Sequence, residues 1–215
     1  MQPLVIGLAE TYEHFGVARP TDEAILATLG TPLRVQLTMF GLGEAEPDLL
    51  SRRIDFAIER FEANAHLERE FEPAIDALRL VYESGFRVAL VTSKSRRELD
   101  LLLTRFRGGE WAHALVCSSD VQKPKPSGEC AVLACAKLDV RPEEAILIGD
   151  SVFDIQCARD AGTAVVAVSY GASPESALVA ERPDALFRTP EALYDWAAAT
   201  LLNPHGKKEF QSAAP

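Results

Sequence analysis

Basic charge, cysteine pairs and long apolar runs are what this 215-residue chain has little of. Lys and Arg number 22 against 32 Asp and Glu, a net charge of −10. Nucleic-acid binding calls for a basic footprint, so no nucleic-acid partner is expected. No apolar stretch reaches the roughly 20 residues that span a bilayer, and no charged-then-apolar leader follows Met1. No membrane association is expected, and the chain reads as cytoplasmic. The four cysteines, Cys117, Cys130, Cys135 and Cys157, form no C-x-x-C pair and have no histidine nearby. They read as buried, reduced thiols, not as a disulfide frame or a zinc site. His14, His66, His113 and His205 are dispersed and suggest no metal cluster.

What is present is an ordinary folded chain, 47% hydrophobic and 25% charged. It is long enough for one domain, or for a core with a smaller accessory domain. A small anionic substrate remains compatible with the acidic total, because a lysine and helix N-termini can reverse the sign locally.

The pattern divides near residue 70. Residues 1–70 show helical periodicity only: Leu4, Leu8 and Phe15 share one face, Leu26, Leu29, Leu33 and Leu37 another, and Ile54, Ile58 and Phe61 a third. Breaks fall at 16–20, 30–32 and 41–47, and Thr21-Asp22-Glu23 starts a helix. This predicts a small helical unit whose stripes are core.

From Phe71 to Leu202 short apolar strands alternate with helices: strands over 86–91, 114–117, 145–148 and 164–168, a short edge strand over 185–187, and a last helix over 190–202. Nearly all-apolar strands separated by helices indicate an α/β, doubly wound, Rossmann-like parallel sheet covered on both faces. The tail 203–215 is polar, without periodicity, and is expected to be disordered.

Three strand ends carry candidate chemistry, at the edge where open α/β sheets bind ligands. The strand Ile146-Leu147-Ile148-Gly149 runs into Asp150, with Asp154 four positions on. Two hard oxygen donors there suit Mg²⁺; the plainer alternative is that they cap the following helix. Thr92-Ser93 follows a buried strand just before a helix, where a phosphate is well placed and where an N-cap hydroxyl is equally natural. In Lys123-Pro124-Lys125-Pro126, prolines stiffen the backbone on either side of a lysine, whose ammonium could neutralise a phosphoryl oxygen and a carboxylate together.

In this order, "VALVTSK", "KPKP" and "ILIGDSVFDIQCARDAG" resemble motifs II, III and IV of the haloacid dehalogenase superfamily, and "TLGTPLR" resembles the helical cap of its phosphoglycolate phosphatase type. The resemblance runs to about Leu202. It implies a 1–70 cap, a 71–202 core, Mg²⁺ as cofactor and a small phosphorylated metabolite as substrate. Thr92 and Ser93 would bind the transferring phosphoryl group. Lys123, first in K-P-x-P, would be the motif III lysine, leaving Lys125 the variable, solvated position. Asp150 would ligate the metal, with Asp154 a direct or water-mediated partner. Arg34 could reach substrate from the cap, though it also reads as a surface arginine.

The family's first motif, D-x-D-G-T, supplies the attacking aspartate, and no D-x-D occurs in this sequence. "QPLVIGLAETYEHFG" resembles the segment after that motif, so the given sequence is expected to begin just beyond the nucleophile. The strand that carries motif I in the family lies between those ending at Thr92 and Gly149, so two unpaired edges are expected here. The expected function is a phosphatase of a small metabolite (phosphoglycolate, a sugar phosphate or pyrophosphate), with the chain as written inactive. A misassigned start is one explanation; a non-catalytic binding protein on the same scaffold is the other. A serine hydrolase built on Gly149-Asp150-Ser151 would lack a placed histidine and leave Asp154 without a role.

Overall fold

The helical unit is built from α1 (Gln2–His14), α2 (Asp22–Leu26), α3 (Leu33–Met39) and α4 (Pro47–Ala63). The computed structural model describes residues 2–43 and 46–202, so the tail expected to be disordered lies outside the described residues. The Thr21 hydroxyl accepts from Ala24 N at 3.2 Å and starts α2, and a proline in the first turn opens α4. The three apolar stripes converge: Leu8, Tyr12, Ile25, Leu37, Ile58 and Phe61 share one buried core. The stripe from Leu26 to Leu37 is not one helix. Gly30, at φ +102°, and the following Pro32 split it.

Beyond residue 70 the order is α5 (Glu72–Glu83), β1 (Ala89–Val91), α6 (Arg96–Leu103), β2 (Ala114–Val116), α7 (Glu129–Leu138), β3 (Ile146–Gly149), α8 (Val152–Ala161), β4 (Ala164–Val168), α9 (Glu175–Ala180), β5 (Ala185–Phe187) and α10 (Pro190–Leu202). This is the predicted alternation, with α9 added; six residues are too few to show a period. The first strand is half as long as its apolar run, three residues where six were expected.

All pairings are parallel, but the strands form two sheets: β1 with β2, and β3-β4-β5 in that order. No ladder joins β1 to β3. Helix α7 spans the break instead. On one face, Cys130, Ala131 and Ala134 of α7 pack with Val116, Ala89 and Val91 from one half and Leu147 from the other. On the opposite face, Leu193 and Trp196 of α10 and Ala74 of α5 pack against Val166 and Val168. Between the halves lies a space of about 1290 Å³, bordered by Leu78, Leu90, Ile146, Ile148, Leu193 and Trp196. Ile148, in an apolar strand, is 45% exposed to it. Among the described residues neither edge has a ladder partner, and the two have not closed on each other; α7, which packs against both halves, would have to repack if they did.

All four cysteines are free and buried, as expected. No helix among the described residues is long and apolar enough to cross a membrane.

Candidate functional site

A second, smaller pocket of about 300 Å³ opens where β1 and β3 end, beneath the helical unit. Thr92, Ser93, Lys125, Asp150 and Asp154 line it from the core, and Leu4, Leu29, Thr31, Leu33 and Phe61 from the helical unit above.

The turn after β3 places both aspartates. Ser151 caps α8, its hydroxyl accepting from Asp154 N at 3.2 Å, while Asp154 Oδ2 accepts from Ser151 N at 3.1 Å and Ser151 Oγ at 2.6 Å. This is a capping box. Gly149 permits it, since a Cβ there would lie 2.3 Å from the Asp154 Cβ. Asp154 is therefore a capping residue, as the plainer alternative had it, and something more. Its other oxygen, Oδ1, accepts from Lys125 Nζ at 2.6 Å, and the same ammonium donates to Val91 O at 3.0 Å.

The lysine here is Lys125, not Lys123. Lys125 is 7% exposed, whereas Lys123 is exposed and absent from the pocket lining. The expected assignment is corrected, and the reason is local. The Glu129 carboxylate accepts from Gln122 N at 3.1 Å and Lys123 N at 3.0 Å, holding the first half of the loop outward. Lys125, with a proline on each side, turns beneath Val91. Arg34 is also exposed and outside the pocket lining.

Electrostatics agree with the geometry. Burial alone would lower the Lys125 pKa, but the adjacent Asp154 charge and hydrogen bond outweigh it and leave it raised. Burial likewise works to raise Asp154, and Lys125 with the Ser151 bonds overcomes it, holding the carboxyl below its ordinary range. The pair is thus charged. Asp150 differs: burial, then the Asp154 charge, push its carboxyl up. Its Oδ2 accepts from Ala172 N at 2.8 Å, a contact that Gly171 makes room for. Sequence reasoning missed this loop, which carries no charged or motif residue.

Thr92 Oγ accepts from Lys94 N at 3.2 Å, and the cap of α6 is Ser95, not Thr92 or Ser93. The Ser93 hydroxyl donates to Gly30 O, tying the helical unit to the core beside the pocket.

A magnesium ion needs several hard oxygen donors. Among the described residues no group of three or more His, Cys, Asp or Glu could hold a metal. Asp154 Oδ1 accepts from Lys125 Nζ and Oδ2 from Ser151, and Oδ1 keeps a second lone pair. Among the described residues Asp150 and Asp154 are thus the one or two carboxylates that magnesium takes when water and phosphate oxygens complete its shell.

Comparison with known proteins follows the same lines. The chain is 27% identical over 186 residues to the pyrophosphatase PpaX of Anoxybacillus flavithermus, covering 84% of this chain and 82% of that one. It is 33% identical over 132 residues to the N-acetylmuramic acid 6-phosphate phosphatase of Pseudomonas aeruginosa, covering 61% and 58%. Its fold is similar to a crystal structure described as a predicted phosphoglycolate phosphatase from Haemophilus somnus, with a TM-score of 0.78, 18% identity, and 91% and 90% of the two chains covered. The family model for haloacid dehalogenase-like hydrolases matches residues 2–168. The chain belongs to that family.

Proposed function

We propose that the pocket above β1 and β3 binds the phosphoryl group of a small phosphorylated metabolite, in the service of phosphate-ester hydrolysis. The relatives named for pyrophosphate, N-acetylmuramic acid 6-phosphate and phosphoglycolate support that substrate class. The observation that carries the reading is the Lys125 ammonium, fixed at 2.6 Å from Asp154 at the strand ends.

An ammonium has three hydrogens. Two go to Asp154 and Val91 O, which leaves one for a phosphoryl oxygen. The Thr92 hydroxyl accepts one bond from Lys94 N and keeps its own hydrogen to donate. Ser93 is already bonded to Gly30 O, so it serves to seat the helical unit as a cap, closing the pocket against water. The magnesium that the family implies would be held by Asp150, with Asp154 beside it, and no step is assigned to it.

A specific observation favours binding without turnover for the 215-residue polypeptide alone. Its pocket carboxylates are Glu98, Asp150 and Asp154. Glu98 accepts from Ser95 N at 2.8 Å in the α6 cap and Asp154 holds Lys125. Asp150 is turned toward Ala172. None is placed as an attacking group.

Calorimetric titration with inorganic phosphate tests the reading, alongside p-nitrophenyl phosphate turnover with and without Mg²⁺. Phosphate should bind to the wild type and be lost at least about 10-fold in Lys125→Met, as expected for one charge-assisted bond of roughly 1.5–3 kcal/mol. Unchanged binding in Lys125→Met would refute the site. Turnover at about 1 s⁻¹ or faster, an ordinary enzymatic rate, would refute the binding-only reading.

A further inference from the structure

The pocket beneath the helical unit has a floor and a roof of opposite character. Its cations, Lys94 and Lys125, both belong to the core side, and the Lys94 main chain is bonded to Thr92 Oγ. Among the described residues the roof contributes no charged side chain. Leu4, Leu29, Leu33 and Phe61 make it largely apolar, and Thr31 and Gln36 are its two polar side chains. At about 300 Å³ the pocket lies at the small end of ligand sites, with room for a phosphoryl group and a short leaving group above it.

Both polar groups of the roof have spent their hydrogens. The Thr31 hydroxyl donates to Thr28 O at 2.7 Å. Gln36, on the buried face of α3, turns its amide nitrogen to two carbonyls, donating to Thr31 O at 3.0 Å and to Thr28 O at 3.4 Å. Two carbonyl neighbours are satisfied only by the NH2 end of an amide, so the orientation is fixed. That end has two hydrogens, and both are used. What remains for the pocket is acceptor only, Gln36 Oε1 and Thr31 Oγ, and neither accepts from a donor among the described residues. A buried side-chain oxygen without a donor is uncommon in a folded protein. Here it belongs to a residue that borders a cavity.

An acceptor roof selects by chemistry. A carboxylate or a second phosphate on the leaving group would face oxygen lone pairs and hydrocarbon, with no cation above to neutralise it. A hydroxyl would satisfy the buried oxygen instead. With the phosphoryl group on the floor, as the proposed function has it, we infer that the substrate is a phosphate monoester with a neutral, hydroxylated leaving group, and that Gln36 determines this specificity, its Oε1 accepting from a leaving-group hydroxyl. Of the three classes that the sequence leaves open, this selects a sugar phosphate over phosphoglycolate and pyrophosphate.

Calorimetric titration of the 215-residue protein tests this with inorganic phosphate, glycerol 3-phosphate, propyl phosphate, phosphoglycolate and pyrophosphate. Glycerol 3-phosphate and propyl phosphate share a carbon skeleton and differ in their hydroxyls, so their ratio isolates the acceptors of the roof. Glycerol 3-phosphate should bind about 5-fold more tightly than propyl phosphate, the size of one neutral hydrogen bond. It should bind at least about 10-fold more tightly than phosphoglycolate or pyrophosphate. In Gln36→Met, which loses the amide oxygen, the first ratio should fall to about 1; a merely structural role would weaken both esters alike and leave the ratio standing. Propyl phosphate equal to glycerol 3-phosphate, phosphoglycolate or pyrophosphate equal to or tighter than it, or a ratio that survives in Gln36→Met overturns the assignment, while binding of inorganic phosphate upholds the floor. Absence of inorganic phosphate binding instead overturns the phosphoryl reading, and the leaving-group assignment with it. The wild-type comparisons need no variant and decide the outcome even where Gln36→Met fails to fold.

Discussion

Replacing Lys125 by Ala should do far more damage than the same change two positions earlier. Lys125 is 7% exposed and its partner Asp154 also 7%, so truncation leaves a buried carboxylate without its cation. Breaking a buried pair in this way costs about 3–5 kcal/mol, out of a total stability of only about 5–15 kcal/mol. In a domain of this size each kcal/mol shifts the melting temperature by about 2–4 °C, so Lys125→Ala should melt roughly 6–20 °C lower. Lys123→Ala, at an exposed position, should stay within about 0.5 kcal/mol of wild type. The difference should depend on pH in a definite sense. In the wild type the Asp154 pKa is depressed, so its contribution is present above the unfolded value near ~4 and is lost as pH falls through the folded value. In Lys125→Ala only the Ser151 bonds oppose burial, so that pKa lies above its wild-type value and the variant loses less stability than the wild type as pH falls. The gap between the two proteins should therefore narrow on acidification. Urea denaturation followed by circular dichroism at pH 7, 6 and 5 measures it. A Lys125→Ala variant as stable as Lys123→Ala, or a gap indifferent to pH, would show that the buried pair is not as described. The double variant Lys125→Met with Asp154→Leu should recover most of the loss, because it removes both charges together.

Three further outcomes can be checked. Gly171→Ala places a Cβ 2.1 Å from Asp150 Oδ2, which must swing off Ala172 N; a loss of about 1–3 kcal/mol in the same urea assay is expected. Leu37→Ala empties a fully buried position in the helical unit and should cost about 2–5 kcal/mol by thermal melt. Asp120 is held down to about 2 by the Cys117 N–H and by Arg96, so Asp120→Asn should lower stability above pH 4 by at most about 1 kcal/mol, and the penalty should fade as pH drops through about 2.

Much of this arrangement was legible in the sequence because it rests on periodicity and on short-range spacing. The three apolar stripes before residue 70 and the strand-helix alternation after it came from composition that repeats. Asp150 and Asp154 were readable because a strand ending in glycine fixes where the next four residues go. Lys125 was read wrongly for an instructive reason. The physical clue, a lysine with proline on both sides, pointed to Lys125, while matching to K-P-x-P moved the role to Lys123. The stiffness was the better guide, because it decides which side chain is held under Val91. Gly171 and Ala172 could not have been found, since their part is played by a missing side chain and a backbone N–H. Nor could the hydrogen bonds of Asp154 to Lys125 and Ser151, which spacing alone does not reveal.

The bond from Ser93 to Gly30 O has a consequence for how the protein can change. Its acceptor is a main-chain carbonyl, but on a glycine at φ +102° where a Cβ would lie 2.7 Å from Ser151 Oγ, so both partners of the latch are sensitive to substitution. Leu33 and Gln36 of α3, which face the pocket, take no part in that bond and can vary while the latch persists. A lineage built on this frame could exchange leaving-group preferences by ordinary point changes above the pocket, with the closure itself held constant.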